Sequence, residues 1–150
     1  MKKTELQERV RSAHEKLTRA LGGLSEEEAT RASGLNAEWS VKDALSHIAA
    51  WEIEGARILA EIQSGTWQPQ RFDKQMIDDF NARVTEERRA RSMTEVRAEF
   101  DAAHAQMEEM IASLPEEVDE SAPAYKFVEA ITFRHHAHHA EQIEKYSNEK

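Results

Sequence analysis

The sequence predicts an all-α protein, an antiparallel four-helix bundle with one or two short additional helices. The chain contains only five Gly and three Pro in 150 residues, and it has few β-branched runs that would favour strands. Apolar residues recur with a period near 3.6 along almost the whole chain, which is typical of helices that bury one face. Several long amphipathic helices in one chain bury those faces against one another in a bundle.

Start and stop signals divide the chain into helices. Ser25, Ser40 and Ser92 are each followed three residues later by an acidic residue, the pattern of an N-terminal capping box. The first box predicts a short helix, and the other two open long ones. A further helix is expected to begin near Asp73, and Gly65 is expected to end the helix before it. The four main helices are predicted at residues 3–22, 40–64, 93–114 and 125–147.

Composition limits the classes of function. Residues 1–150 are expected to form one domain, and the absence of Cys excludes disulfides and thiolate metal sites. The net charge of −9 argues against nucleic-acid binding, since the one dense basic run, at residues 88–91, has acidic neighbours and is typical of a solvated helix end. No apolar run approaches the ~20 residues of a membrane span, and the N-terminus lacks a signal-peptide core. We therefore expect a cytoplasmic protein with no nucleic-acid or membrane partner.

The histidines are the most informative feature. Four of the seven lie between residues 135 and 139. His135 and His139 are spaced i, i+4, which places both imidazoles on one face of a helix, where they can chelate a metal ion. The alternatives are hydrogen-bonded core or surface histidines and, least favoured because Ala137 breaks the run and a patterned helix follows it, a purification tag.

A third candidate ligand lies on another helix. His47 is one turn before Trp51 on the same apolar stripe, so it should face the bundle interior. Facing helices pack ~8–10 Å apart, which brings His47 within reach of the His135/His139 pair. Three imidazoles would leave one position open at tetrahedral zinc and up to three at octahedral nickel, iron or manganese. The competing interpretation of His47 alone is a core histidine bonded to a carbonyl.

The other histidines have weaker assignments. His138 also faces inward by its i, i+3 spacing from His135, as a supporting donor or a substitute ligand for His139. His136 lies about 100° round the helix and is expected to be exposed. His104 is interpreted as a core histidine rather than a pocket wall, and His14 as a residue at the edge of the first helix's apolar stripe.

Four other residues are candidates for supporting roles. Asp43 can orient His47, although capping of its helix is the favoured role. Gln142 can accept a hydrogen bond from a ligand histidine or a substrate, with ordinary bundle hydrogen bonding as the alternative. Trp39 and Trp51 bracket His47 and are either pocket walls or core anchors.

Three segments resemble the DinB-like superfamily. Residues 39–52 (WSVKDALSHIAAWE) are similar to its second-helix signature, closest to that of the ClbS/DfsB branch, with the Lys-Asp pair, a His four residues on and a Trp-Glu pair. Residues 77–81 (IDDFN) resemble that branch's third-helix pattern. Residues 135–143 (HHAHHAEQI) resemble the superfamily's last-helix motif. The similarity covers nearly the whole chain.

This resemblance implies a DinB/YfiT-like four-helix bundle that is usually dimeric. It also implies a metal site formed by one His of the second helix and two of the last, which here are His47, His135 and His139. Some ClbS/DfsB relatives lack the last-helix pair; this chain keeps it, so the metal-independent chemistry of that branch transfers poorly. A homodimer is expected, also because the region around Ile77 carries surplus apolar residues.

The expected function is that of a metal-dependent enzyme acting on a small molecule in stress or detoxification. The resemblance implies a hydrolase or a transferase that uses a low-molecular-weight thiol, with zinc or nickel as the expected metal and iron or manganese as alternatives. No catalytic residue beyond the ligands can be assigned, because neither a Ser-His-Asp pattern nor a carboxylate pair stands out. The alternative is a non-catalytic metal- or ligand-binding protein of stress or resistance.

Overall fold

The computed structural model describes residues 1–70 and 72–149, and this part of the chain is helical, with no β-strand. The described helices are α1 (Lys3–Gly22), α2 (Glu26–Thr30), α3 (Val41–Ser64), α4 (Lys74–Arg88), α5 (Met93–Ala112), α6 (Pro123–Ile131) and α7 (Phe133–Glu149). Helices α1, α3, α5 and the α6–α7 pair form the four members of the bundle. The all-α prediction is confirmed.

The predicted caps are present. The side chains of Ser25, Ser40 and Ser92 each accept a hydrogen bond from the backbone N–H three residues on, and the acidic side chain there accepts one in return. Asp73 caps α4, since its side chain accepts a hydrogen bond from the backbone N–H of Met76. Helix α3 ends at Gly65, whose φ of 75° lies in the left-handed region that favours glycine.

The core has two halves. Helix α3 packs mainly along α5, and α1 packs mainly along α7. At one end the buried residues include Leu17, Leu45, Phe100 and Ile143. At the other end they include Leu6, Leu59, Met107 and Val128. Contacts from all four members of the bundle therefore hold α3 and α7 side by side.

The prediction of one continuous last helix was wrong. The chain breaks at Thr132, whose φ of −103° and ψ of −92° are not helical. The Thr132 hydroxyl donates to the carbonyl of Val128 at 2.6 Å, and the residue is fully buried. Helix α7 begins again after this break, and the N–H of His136 donates to the carbonyl of Thr132 at 2.8 Å.

Helix α4 lies on the outside of the bundle, against α3. The basic run that follows it is not simply solvated: Arg88 and Arg91 both form ion pairs with Glu99, at 2.7 and 2.8 Å, and the Arg88 side chain is only 12% exposed. Within the described ranges, no helix combines the length and apolar character that a bilayer crossing requires. Met76 on α4 is 44% exposed, and the homodimer stays a prediction.

Candidate metal centre

Helices α3 and α7 bring the three predicted ligands together. The Nε2 atoms of His135 and His47 are 2.8 Å apart, and those of His139 and His135 are 3.1 Å apart. Two nitrogens that bind one ion at ~2.1 Å and at right angles lie about 3.0 Å apart, so this spacing fits a shared ion. We name His47, His135 and His139 the outer cluster.

The imidazoles of the outer cluster are held in the neutral, metal-binding form. Burial lowers the pKa of His47 to about 4 and the pKa of His139 to about 3. The pKa of His135 lies well below its usual range, first because of burial and then because of the neighbouring His139 and His47. Three neutral imidazoles with converging nitrogens form a donor set that a borderline divalent ion such as zinc or nickel suits.

Polar and aromatic neighbours orient the ligands. The Nδ1–H of His139 donates to Oε1 of Gln142 at 2.9 Å, which leaves the lone pair on Nε2. Gln142 thus takes the supporting role considered for it. The Trp39 ring lies 4.7 Å from that of His47 and 6.4 Å from that of His139, so it covers one side of the cluster. Asp43 has the favoured capping role, since its carboxylate accepts from the Ser40 N–H.

An apolar pocket of about 320 Å³ begins at the outer cluster. Its described lining consists of His47, Trp51, Phe72, Ile77, Asn81, Phe127, Ala130, Ile131 and His135. The Trp51 Nε1–H donates to Asn81 Oδ1 at 2.8 Å, which fixes one wall between α3 and α4. Of the two roles considered for Trp51, both are seen: it lines the pocket and it packs against the buried core.

The predicted exposures of His136 and His138 were wrong. His136, predicted to be exposed, is fully buried, whereas His138, predicted to face inward, is exposed. The prediction centred the inward stripe of α7 on His135, whereas the buried stripe consists of His136, His139, Ala140 and Ile143, with His135 at its edge. His138 is not in the group of ligating atoms, so among the described residues His139 is the partner of His135.

His136 belongs to a second cluster that the sequence interpretation missed. Its Nε2–H donates to Oε1 of Glu52 at 2.7 Å, and His104 Nδ1 lies 3.1 Å from the same oxygen. The rings of His14 and His104 stack at 3.8 Å with 6° between their planes. We name His14, Glu52, His104 and His136 the inner cluster. The assignment of His104 to the core is confirmed, and the signal that was overlooked is Glu52, a carboxylate on the buried face of α3.

The inner cluster contains a buried negative charge. Glu52 is fully buried, and burial alone would raise its pKa, but hydrogen bonds with His104 and His136 outweigh this and bring the pKa below its usual value. Burial and the nearby charges of His104 and His136 lower the pKa of His14 to about 4. The inner cluster thus combines an ionised carboxylate with imidazoles from three other helices.

The fold is shared with solved structures of low sequence identity. An uncharacterised protein from Escherichia coli UTI89 has a TM-score of 0.84 at 16% identity, covering 99% of this chain and 94% of that one. A protein from Streptococcus pneumoniae has a TM-score of 0.78 at 18% identity, covering 99% and 91%. The sibling lethal factor precursor DfsB has a TM-score of 0.81 at 14% identity, covering 99% and 96%. No curated protein matches the sequence.

A four-helix bundle with a histidine triad between its second long helix and its last defines the class as a DinB-like bundle protein. Within that class, the chain belongs to the family described as the mycothiol maleylpyruvate isomerase N-terminal domain, which it matches over residues 10–140. This match confirms the resemblance to the DinB-like superfamily, and the DfsB structure shares the fold.

Proposed function

We propose that this chain is a metal-dependent enzyme that acts on a small, largely apolar molecule, and that it transfers a low-molecular-weight thiol or hydrolyses its substrate. The observation that carries the proposal is the position of the outer cluster: three neutral imidazoles meet at the start of an open apolar pocket. A structural metal would be enclosed by a fourth protein ligand. Among the described residues, no further His, Asp or Glu joins this group.

His47, His135 and His139 would hold the ion, which we expect to be zinc or nickel, with iron or manganese as alternatives. A divalent ion there is a Lewis acid and lowers the pKa of a water or thiol that binds it. Gln142 holds the tautomer of His139, and the Trp39 ring keeps solvent from one side of the imidazoles. The aromatic walls from Trp51, Phe72 and Phe127 exclude water from a bound apolar substrate.

The pocket lining favours thiol transfer over hydrolysis. Its described polar groups are His47, Asn81 and His135, and none of the described lining residues is a carboxylate, Lys or Tyr that could serve as a general acid or base. A thiolate that attacks an electrophilic carbon either displaces a leaving group as an anion or adds to a double bond and leaves a carbanion that takes a proton from water, so neither route requires an acid from the protein. Hydrolysis of an amide, in contrast, must place a proton on a poor leaving group. The family's description names mycothiol, a low-molecular-weight thiol, which supports the same choice.

The second candidate is a non-catalytic protein that binds a metal or an apolar ligand in stress or resistance. The same lack of acid–base groups in the described lining supports it, because a binding site needs only shape and apolar surface. A cytoplasmic location and a homodimer belong to either proposal.

The test combines metal analysis with an activity screen on untagged protein. Wild type, His47→Ala and the matched control His138→Ala should be stripped of metal, reloaded with zinc or nickel and assayed with electrophiles in the presence of mycothiol, bacillithiol or glutathione. We expect thiol-dependent turnover in the wild type and in His138→Ala, and its loss in His47→Ala and after chelation.

Each outcome assigns the function. Turnover without a thiol indicates a hydrolase. No turnover in any metal-loaded protein, together with saturable binding of an apolar ligand, supports the binding protein. Unchanged activity in His47→Ala or in fully stripped enzyme contradicts a metal-dependent reaction at the outer cluster.

A further inference from the structure

The inner cluster draws one residue from each member of the bundle: His14 from α1, Glu52 from α3, His104 from α5 and His136 from α7. Glu52 and His136 are fully buried, and His104 is 3% exposed. A ligating nitrogen from each of the three imidazoles lies within 4.8 Å of the others. None of the four residues lines the pocket at the outer cluster.

Glu52 fixes the tautomers of two of these imidazoles. His136 uses Nε2 and His104 uses Nδ1 to donate to the carboxylate, which leaves the lone pairs on Nδ1 of His136 and Nε2 of His104. A carboxylate that holds one ring nitrogen while the other nitrogen binds a metal is the usual arrangement behind histidine ligands.

The imidazole nitrogens of the inner cluster that do not bond to Glu52 either lack a protein partner or face a carboxylate oxygen. Nδ1 of His136 and Nδ1 of His14 are buried without a hydrogen-bond partner, which costs free energy unless something binds them. Nε2 of His104 lies 3.2 Å from Oε1 of Glu108. A lone pair and a carboxylate oxygen repel each other at that distance, and a metal ion bound at Nε2 would remove this repulsion.

We propose that His14, His104 and His136 bind a second divalent metal ion, and that Glu52 orients two of the three ligands and balances its charge. Imidazole donors select a metal such as zinc, nickel or copper. Three nitrogens bound to one tetrahedral ion at ~2.1 Å lie about 3.4 Å apart, so these nitrogens, which lie within 4.8 Å of one another, must close by up to about 1.4 Å, and the His14 ring must turn out of its stack on His104. Because this site joins one residue from each member of the bundle and three of its four residues are buried, we assign it a structural role.

The inner site is tested in a variant that lacks the ligands of the outer site. Untagged His47→Ala/His139→Ala protein, with its helix content checked by circular dichroism, should be stripped and then equilibrated with zinc. We expect about one bound zinc per chain, against two in the wild type, and a rise in Tm on zinc addition. Cobalt in the same protein should give visible d–d bands.

Two further changes in that background locate the site. His14→Gln keeps a polar side chain on the partly exposed member of the cluster and should lower zinc affinity at least tenfold. The matched control His138→Gln changes an exposed histidine two residues from His136 and should retain the zinc. Loss of zinc in this control instead would assign the metal to surface histidines and overturn the proposal.

The wild type gives an independent answer should the double variant fail to fold. Titration of stripped wild type with zinc should then show two equivalents, of which His14→Gln removes one. Uptake of a single equivalent, unaffected by His14→Gln, would show that the inner cluster binds no metal ion. That result would overturn the inner site and leave the proposed function of the outer cluster untouched.

Discussion

Helices α3 and α7 contribute residues to both the outer and the inner cluster, but the two clusters differ in exposure and in charge. His135 and His136 are consecutive on α7, and His47 and Glu52 lie five residues apart on α3. Consecutive helical residues point about 100° apart, so α7 presents one imidazole to a pocket and the next to the core. The outer cluster opens to a cavity of about 320 Å³, whereas three of the four residues of the inner cluster are buried and only His14 is partly exposed.

The two clusters also differ in charge. No carboxylate belongs to the ligating group of the outer cluster, so a bound dication there would keep its positive charge and attract a thiolate or hydroxide. In the inner cluster Glu52 already supplies a negative charge in contact with two imidazoles. The outer cluster, which has no carboxylate, thus suits a metal ion that takes part in chemistry. The inner cluster, which contains Glu52, suits a metal ion that holds helices together.

We expect the largest difference between the clusters in how their contributions to the free energy of unfolding change at acidic pH. In the metal-free protein the pKa values of His47 and His139, about 4 and about 3, lie below the unfolded value of 6.5. Their stabilising effect is therefore complete above pH 6.5 and is lost as the pH falls toward 4, by up to ~1.4 kcal/mol per pH unit for each imidazole. In the inner cluster only His14, with a pKa of about 4, behaves in this way, and Glu52, whose pKa is lowered from 4.5, loses its contribution only below that value.

Urea unfolding of stripped protein between pH 7 and pH 4.5 measures this difference. His47→Gln/His139→Gln should give a clearly shallower loss of unfolding free energy over this range than the wild type. Parallel curves for the two proteins would show that the outer cluster is not held neutral by burial.

Removal of Glu52 should be the most damaging single change. Without the carboxylate, the buried donors of His104 and His136 lose their acceptor, so Glu52→Ala should lower the unfolding free energy of stripped protein by about 3 kcal/mol. His47→Ala, at the edge of an open pocket, should cost about 1 kcal/mol. Glu52→Gln, which keeps an acceptor oxygen, should fall between them. Equal losses for Glu52→Ala and His47→Ala, measured in urea at pH 7, would contradict the contrast between a closed and an open cluster.

Loss of the hydrogen bond that orients His139 should have a smaller effect, on the metal affinity of the outer cluster only. Gln142→Leu removes the acceptor for its Nδ1–H, and loss of such a supporting bond weakens metal affinity about 10-fold or more. Competition with a chromogenic chelator measures the affinity, and the unfolding free energy of stripped protein should change little. Retained affinity would show that packing against Trp39 alone orients the ring.

The sequence was enough to predict the bundle and the outer cluster because the signals for both are local. Capping boxes and Gly65 mark helix ends within a few residues, and the His135/His139 spacing needs only one helix. His47 was found because it shares a stripe with Trp51. Each of these inferences depends on the phase of a single unbroken helix.

The inner cluster was missed because it depends on four helices at once. The choice between His136 and His138 depends on which side of His135 faces the core, and the spacing of the histidines does not indicate this; in the structure the buried stripe runs through His136, His139 and Ile143. His14 and His104 gave no local sign of stacking on each other, since 90 residues separate them. A buried Glu52 was the one available signal, because a carboxylate on an apolar stripe needs partners from other helices.

The smallest predicted effect tests the orientation of α7 directly. His138 is exposed and lies next to His139, so His138→Ala should change the unfolding free energy by no more than about 0.5 kcal/mol and leave the metal content unchanged. His139→Ala, one residue on, should abolish binding at the outer cluster. Urea unfolding and elemental analysis of the two variants side by side provide the measurement. If His138→Ala instead lost metal and His139→Ala kept it, α7 would be rotated by about one residue, or 100°, which would also remove His136 from Glu52. A near-neutral result therefore supports the geometry of both clusters at once, because one helical phase places His139 toward the pocket and His136 toward the core.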